Sequence, residues 1–150
     1  MEDRYLFKAK RIDNGEWEIG SLIALPTGEY EISNKCNNPP DCDPMWDKVV
    51  ITHKVEPPTI CQCTGLKDKN GNMIWENDVI KYHFRDLYAQ IRYGDYQNCF
   101  DSQKAEHIGF YVDWSESRNY RKDLGYWINM VNAEVVGNIF DNAELLESEG

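Results

Sequence analysis

The stretch that most constrains this chain runs from Cys63 to Asp78, CTGLKDKNGNMIWEND, because its turn formers sit at the spacing of a tight β-hairpin that leads into a further strand. Asp68 can open a type I turn through its side-chain oxygen, and Gly71 can take the left-handed backbone of a G1-bulge hairpin. Gly65 and Asn77 are two more positions where positive φ costs little. Downstream, apolar and polar residues alternate with period two. Ile80, Tyr82 and Phe84 oppose Lys81 and His83; Ala89, Ile91 and Tyr93 oppose Gln90 and Arg92; Ile108, Phe110, Val112 and Trp114 oppose Tyr111 and Asp113. That period marks half-buried strands and places Tyr93 and Trp114 in the core. Short strands around Tyr126 to Ile128 and Glu134 to Ile139 bring the number to about five, enough to curl a sheet into a small barrel.

The N-terminal region reads as a meander. Tyr5, Phe7 and Ala9 share one face of a strand while Lys8 and Lys10 take the other. Asn14-Gly15 signals a type I′ hairpin turn, with Trp17 and Ile19 resuming the apolar face beyond it. Thr27-Gly28 separates the Leu22 to Leu25 strand from another around Tyr30 and Ile32, and SNKCNNPPDCDP from Ser33 to Pro44 is a loop of turn formers. Pro57 and Pro58 mark a second break. The division expected is an N-terminal β-hairpin region, 1–55, and a β-barrel over 56–150, packed as one structural unit. Helical period appears only at the tail, where Phe140 staples onto Leu145, Asp141 caps and Glu144 reaches back to give one or two turns. Leu145 and Leu146 then cover a barrel end or sheet edge.

The 150 residues are 41% hydrophobic, sufficient for a core, and carry five Trp and nine Tyr, bulky rings suited to a thin β-rich interior. No run of 18 apolar residues exists and the first residues are charged and interrupted, so the expectation is a cytoplasmic chain without a membrane partner. Five cysteines there read as reduced thiols. The net charge is −10, and no Lys or Arg occurs from Asp123 onward. This opposes ordinary nucleic-acid binding, which needs clustered cations, and suits a soluble protein that meets basic partner surfaces.

Chemistry-bearing patterns are sparse. Cys36, Cys42, Cys61 and Cys63 are spaced C-x5-C and C-x-C, unlike the paired knuckles of structural zinc, so no metal site is expected. His53, His83 and His107 sit in no nucleophile or base motif, no phosphate-binding glycine loop is present, and Cys99 lies in a polar loop. The expectation is therefore a non-enzymatic protein with no cofactor. Aromatics near barrel ends remain as a contact surface, for which Tyr111, Tyr126 and Trp127 are the candidates.

The hairpin segment resembles the signature of the YopX family, small proteins of phages, prophages and mobile elements, which commonly read T-G-L-x-D-x-x-G, a hydrophobic pair, then E-G-D-[IV]. Here these are Thr64, Gly65, Leu66, Asp68 and Gly71, then Ile74, Trp75, Glu76, Asn77, Asp78 and Val79. FKAKRIDNGEW, RYG, HIGFYVDW, DLGYWIN and EVVGNIFDNAELL, the last with Gly137 and Asn138, extend the resemblance over most of the chain. Asn77 replaces the usual Gly and Ala143 the usual Pro. The resemblance implies a Src-homology-3-like barrel and leaves activity open. A protein–protein interaction or self-assembling accessory factor is the leading expectation, with a nucleic-acid-associated protein, or an acidic decoy of a host DNA-binding protein, as the alternative.

Overall fold

In a computed structural model, the described residues are 5–35, 50–82, 87–98, 107–114 and 121–147. Cys36, Cys42, His83, Phe84 and Cys99, and most of the loop predicted from Ser33 to Pro44, lie outside them. The chain forms two compact units, Met1–Cys63 and Thr64–Gly150.

The first unit is an antiparallel meander. Strands β1 (Phe7–Lys10), β2 (Trp17–Ala24), β3 (Tyr30–Lys35) and β4 (Val50–Val55) lead through a 3₁₀ turn at Pro57–Thr59 into β5 (Cys61–Lys67). Spatial order is β4-β3-β2-β1-β5, with β1 paired to both β2 and the start of β5. The β1–β2 connection is not the two-residue type I′ turn that Asn14-Gly15 suggests. Arg11 and Glu16 close it, Gly15 N–H donates to Arg11 O, and Gly15 alone takes positive φ (+72°), whereas type I′ needs two such residues. Asn14 serves through its side chain, accepting from Glu16 N–H at 2.9 Å. Antiparallel register then sets Ile19 opposite Lys8 and Trp17 opposite Lys10, so both join the lysine face rather than the Phe7 and Ala9 face. The core holds Ala9, Ile32 and Val55 with Phe7, Leu22, Tyr30 and Ile60 around them. Pro57 starts the 3₁₀ turn where its missing N–H is no loss, and Thr59 locks it by accepting from Lys10 N–H and donating to Glu56 O.

The second unit continues β5 through the signature hairpin into β6 (Met73–Trp75), then β7 (Asp78–Tyr82), β8 (Leu87–Tyr96), β9 (His107–Asp113), α1 (Leu124–Asn129), β10 (Glu134–Asn138) and α2 (Glu144–Glu147). Its sheet order is β10-β7-β8-β9, all antiparallel. Ile74, Ile80, Ala89, Ile91, Val112, Trp114, Leu124, Trp127, Ile128 and Ala133 form the core.

Three expectations need correction. The strands do not close into a barrel among the described residues. In the first unit the end of β4 returns to β1 only through the Arg11–Val55 bridge and two flanking backbone bonds, because four-residue β1 is too short to carry a third ladder. In the second unit β9 and β10 remain edges. Second, Tyr126 to Ile128 is helix rather than strand: Leu124, Trp127 and Ile128 fall at helical spacing on one buried face, which packing rewards over the β propensity of Tyr, Trp and Ile. Third, β4 was not foreseen, although its Val-rich run is strand-like. The tail turn did form as α2. Its entry is fixed by Asn138, whose side-chain oxygen accepts from Phe140 and Asp141 N–H, while Asn142 Oδ1 accepts from Asn138 N–H.

Gly137 sits at a bulge of β10 against that turn. A Cβ there would overlap the whole Asn142 side chain down to its own Cβ, at 2.9 Å. Gly137→Ala is expected to cost about 1–3 kcal/mol by expelling Asn142 from its bond to Asn138. Gly125→Ala in α1, where the nearest outside atom lies 3.9 Å away, should be neutral or slightly stabilising. Urea unfolding midpoints of the two variants decide this.

Candidate interaction surface on the second sheet

The signature residues meet around one carboxylate. Asp68 is buried, and its Oδ1 accepts from the N–H groups of Asn70 and Asn72, both at 2.9 Å, while Oδ2 accepts from Val135 N–H at 3.0 Å and from the Asn72 amide at 3.3 Å. Gly71, at φ +81°, closes the G1-bulge turn by donating to Asp68 O, as the sequence predicts. Asn70 and Lys69 reach Glu134 from the same turn. The hairpin tip is thus tied to the start of β10, more than sixty residues away.

The remaining signature positions repeat this pattern. Thr64 Oγ1 donates to Ile74 O at 2.7 Å and accepts from Leu66 N–H, bracing the bend at Gly65, whose φ is +82°. Leu66 packs on the core. Asp78, buried, accepts from Trp75 N–H at 2.9 Å, and Asn77 takes the left-handed conformation (φ +71°) in place of the family's usual glycine. Asn77 N–H donates to Ile91 O and its carbonyl accepts from Ile139 N–H, joining β8 to the residue after β10. Each of these polar groups is consumed in fixing backbone.

A different chemistry occupies β8 and β9. Their register pairs Gly94 with Gly109, Tyr96 with His107 and Arg92 with Tyr111. On the face away from the core, Tyr96 and Tyr111 belong to positions about 13 Å apart along the strands at 3.3 Å per residue, yet their rings stack at 5.3 Å. They lean toward each other over the glycine pair, and Tyr111 Cε1 lies at 4.0 Å from where a Gly94 Cβ would stand. His107 stacks on Tyr96 at 5.1 Å, and Arg92 pairs with Asp113. The Tyr96 hydroxyl donates to Asp123 Oδ1 at 3.0 Å; the same carboxylate accepts from Asn98 and from Arg121 Nε. Arg121 in turn lies over the Tyr126 ring.

On the core side the same strands run past the core. Tyr93 and Phe110, directly opposed, meet edge to face at 5.0 Å, and Ile108 follows on that face with Asp95 opposite it. Ile108 is 71% exposed and Tyr93 55%. Tyr93 was expected to be buried; alternation places it on the core face, but the strand has outrun the apolar layer, and Asp95 two residues on is the signal of that. Of the three predicted contact aromatics, Tyr126 is exposed, Tyr111 half-buried on the outer face, and Trp127 buried, tilted against Trp114 and donating through Nε1 to Arg121 O. Sequence reasoning weighs His107 only as a catalytic group and does not single out Tyr96 or Asp123, because their association depends on cross-strand register and on the return of residues 121–123 to β9.

Cys61 and Cys63 are both buried on one side of β5, and Cys61 Sγ donates to Thr59 O. Among the described residues no three His, Cys, Asp or Glu side chains gather as metal ligands. No helix among the described residues is long and apolar enough to cross a membrane.

The family profile described as YopX protein matches residues 6–147. The chain belongs to the YopX family. No curated protein matches it. In this YopX chain the signature is accounted for by the Asp68, Thr64, Asn77 and Asp78 hydrogen bonds, so the motif is a fold determinant, and exposed Tyr93 and Ile108 lie apart from it, on β8 and β9.

Asp68 and Asp123 both titrate below their ordinary value of 3.8. In each, burial is the largest influence and acts upward, but it is outweighed by donors: the N–H groups of Val135, Asn72 and Asn70 for Asp68, and Arg121, Tyr96 and Asn98 for Asp123. A depressed folded-state value stabilises fully above the unfolded value and is lost as pH falls through the folded one. Stability is therefore expected to fall below about pH 4. Asp68→Asn, which removes the charge and one acceptor, should cost about 2–3 kcal/mol at pH 7 and flatten the acid limb. Urea midpoints at pH 7 and pH 3 test both statements; an acid limb unchanged in the variant contradicts the assignment to Asp68.

Proposed function

We propose that this YopX-family protein is a non-enzymatic accessory factor of a phage or prophage, acting in the host cytosol by docking a protein partner on the exposed end of β8 and β9. The observation that carries the reading is the exposure of Tyr93 and Ile108 on either side of half-buried Phe110: large apolar side chains left in water at the end of a well-packed sheet are characteristic of interaction sites. The outer-face rings Tyr111, Tyr96 and His107 and the Tyr126–Arg121 contact extend it with residue types enriched where proteins associate. The net charge of −10 favours a basic partner over a second copy of the chain.

A second reading, single-stranded nucleic-acid binding, rests on Lys8 and Lys10, whose ammonium groups stand 4.7 and 5.4 Å from the Trp17 ring centroid beside exposed Ile19. The acidic balance of the chain works against it.

Affinity capture from host lysate with the wild type and with Ile108→Lys tests the docking reading. The expected result is a partner retained by the wild type and lost by the variant, with the urea midpoint shifted by less than about 0.5 kcal/mol equivalent, as for an exposed site. Equal recovery by both proteins overturns it. For the second reading, a gel shift with oligothymidine at low salt is expected to be absent at micromolar protein; a shift removed by Lys8→Ala with Lys10→Ala would establish it instead.

A further inference from the structure

Strand β9 is an edge of its sheet, and the chain itself shows how that edge accepts an added strand. Tyr111 bridges antiparallel to Asp123, and Val112 N–H donates to Lys122 O at 2.9 Å. At Leu124 the added segment turns into α1 and leaves the edge. Backbone groups alternate in direction along a strand, so the residues of β9 that face outward with Val112 are Phe110 and Ile108. No described residue pairs with the Phe110 N–H or with either backbone group of Ile108. An exposed apolar side chain and unpaired outward backbone therefore coincide at Ile108, the combination that strand addition uses, with half-buried Phe110 beside it. Two glycines facing each other at Gly94 and Gly109 leave the outer side of this stretch without Cβ atoms.

We propose that this edge receives an extended, basic segment of a partner protein, which continues antiparallel to β9 from the point where the chain's own residues 121–123 depart. The inference rests on the docking reading and adds its mode and the chemistry of the partner. On the face shared by Tyr93, Phe110 and Ile108, the place opposite Phe110 belongs to Leu124, which follows the bridged Asp123, so the first partner residue on that face stands opposite Ile108. That residue is Lys or Arg, because Asp95, exposed and directly across from Ile108, has no cationic neighbour among the described residues. The charge of the chain acts in the same direction: 26 acids against 16 bases, and no base after Lys122. A second copy would bring the same acidic surface and the same Asp95 against itself.

The test uses the full chain and peptides of repeating Val-Thr-Lys-Thr, in which Val and Lys share one face and present their N–H groups to β9. Calorimetric titration is expected to show binding that is weakened roughly tenfold or more by N-methylation at Val and Lys, which removes at least one edge hydrogen bond and blocks approach, and little changed by N-methylation at Thr. Replacing Lys by Glu in the peptide, or Ile108→Lys in the protein, is expected to abolish binding at the same concentrations. Equal affinities for the two methylation patterns, or for the Lys and Glu peptides, overturn the proposal. A wild-type dimer in light scattering that Ile108→Lys dissociates assigns the edge to a second copy and also overturns it. Lysate capture that depends on Ile108, together with no methylation pattern, removes strand pairing but keeps the docking face; a methylation pattern without Ile108-dependent capture does the reverse.

Discussion

The second unit depends on how one buried carboxylate is satisfied. Asp68 lies at the tip of a local hairpin, and two of its donors, Asn70 and Asn72, come from that hairpin, while the third backbone donor, Val135, opens β10. A charge this deep is tolerated only when several donors surround it. The requirement forces β10 to arrive beside the hairpin, and β10 then pairs with β7 and completes the sheet that carries β8 and β9. The Asn77 backbone repeats the logic one turn later by bonding Ile91 and Ile139. Local turn chemistry thereby specifies long-range topology, and the residues doing so have their hydrogen-bonding capacity committed to the fold.

What could be read in the sequence follows from that division. Positions whose chemistry is local were legible: Gly71 and Asn77 adopt the left-handed backbone their residue types suggested, and the three-residue signature turn forms as its spacing indicated. Strands β7, β8 and β9 followed from alternation. The failures lie where a longer-range term decides. Asn14-Gly15 lost its two-residue turn because the Arg11 to Glu16 closure gave a wider loop, and β1 to β2 register placed Trp17 among lysines. The Leu124–Asn129 segment reads as strand by residue preference, yet burying Leu124, Trp127 and Ile128 together makes it a helix. Barrel closure was inferred from strand number, whereas closure depends on the ends finding partners. Here the second sheet ends in edges.

The surface was legible only in part, for the same reason. Alternation tells which side of a sheet a residue occupies but not where the covering layer stops. Tyr93 and Ile108 share their face with Ile91 and Val112, which are fully buried, and differ from them only in lying farther along the strands. The Asp123 network escapes sequence reasoning altogether, since Tyr96, Asn98, Arg121 and Asp123 meet through the return of one segment to the β9 edge. Tyr126 and Tyr111, picked out as surface aromatics, belong to the periphery of that network, and Trp127 belongs to the interior.

The glycine pair on β8 and β9 gives this region an unusual mechanical character. Gly94 and Gly109 contribute no side chains, so rings from Tyr96 and Tyr111, one on each strand, meet across the gap between their positions. A stack spanning two strands is shared by both, so substitutions at the four positions should fail to add. Because the Tyr96 hydroxyl is also moored to the residue that precedes α1, anything that lifts this stack tugs on the helix. The aromatic stack and the helix start are in this way two ends of a single lever.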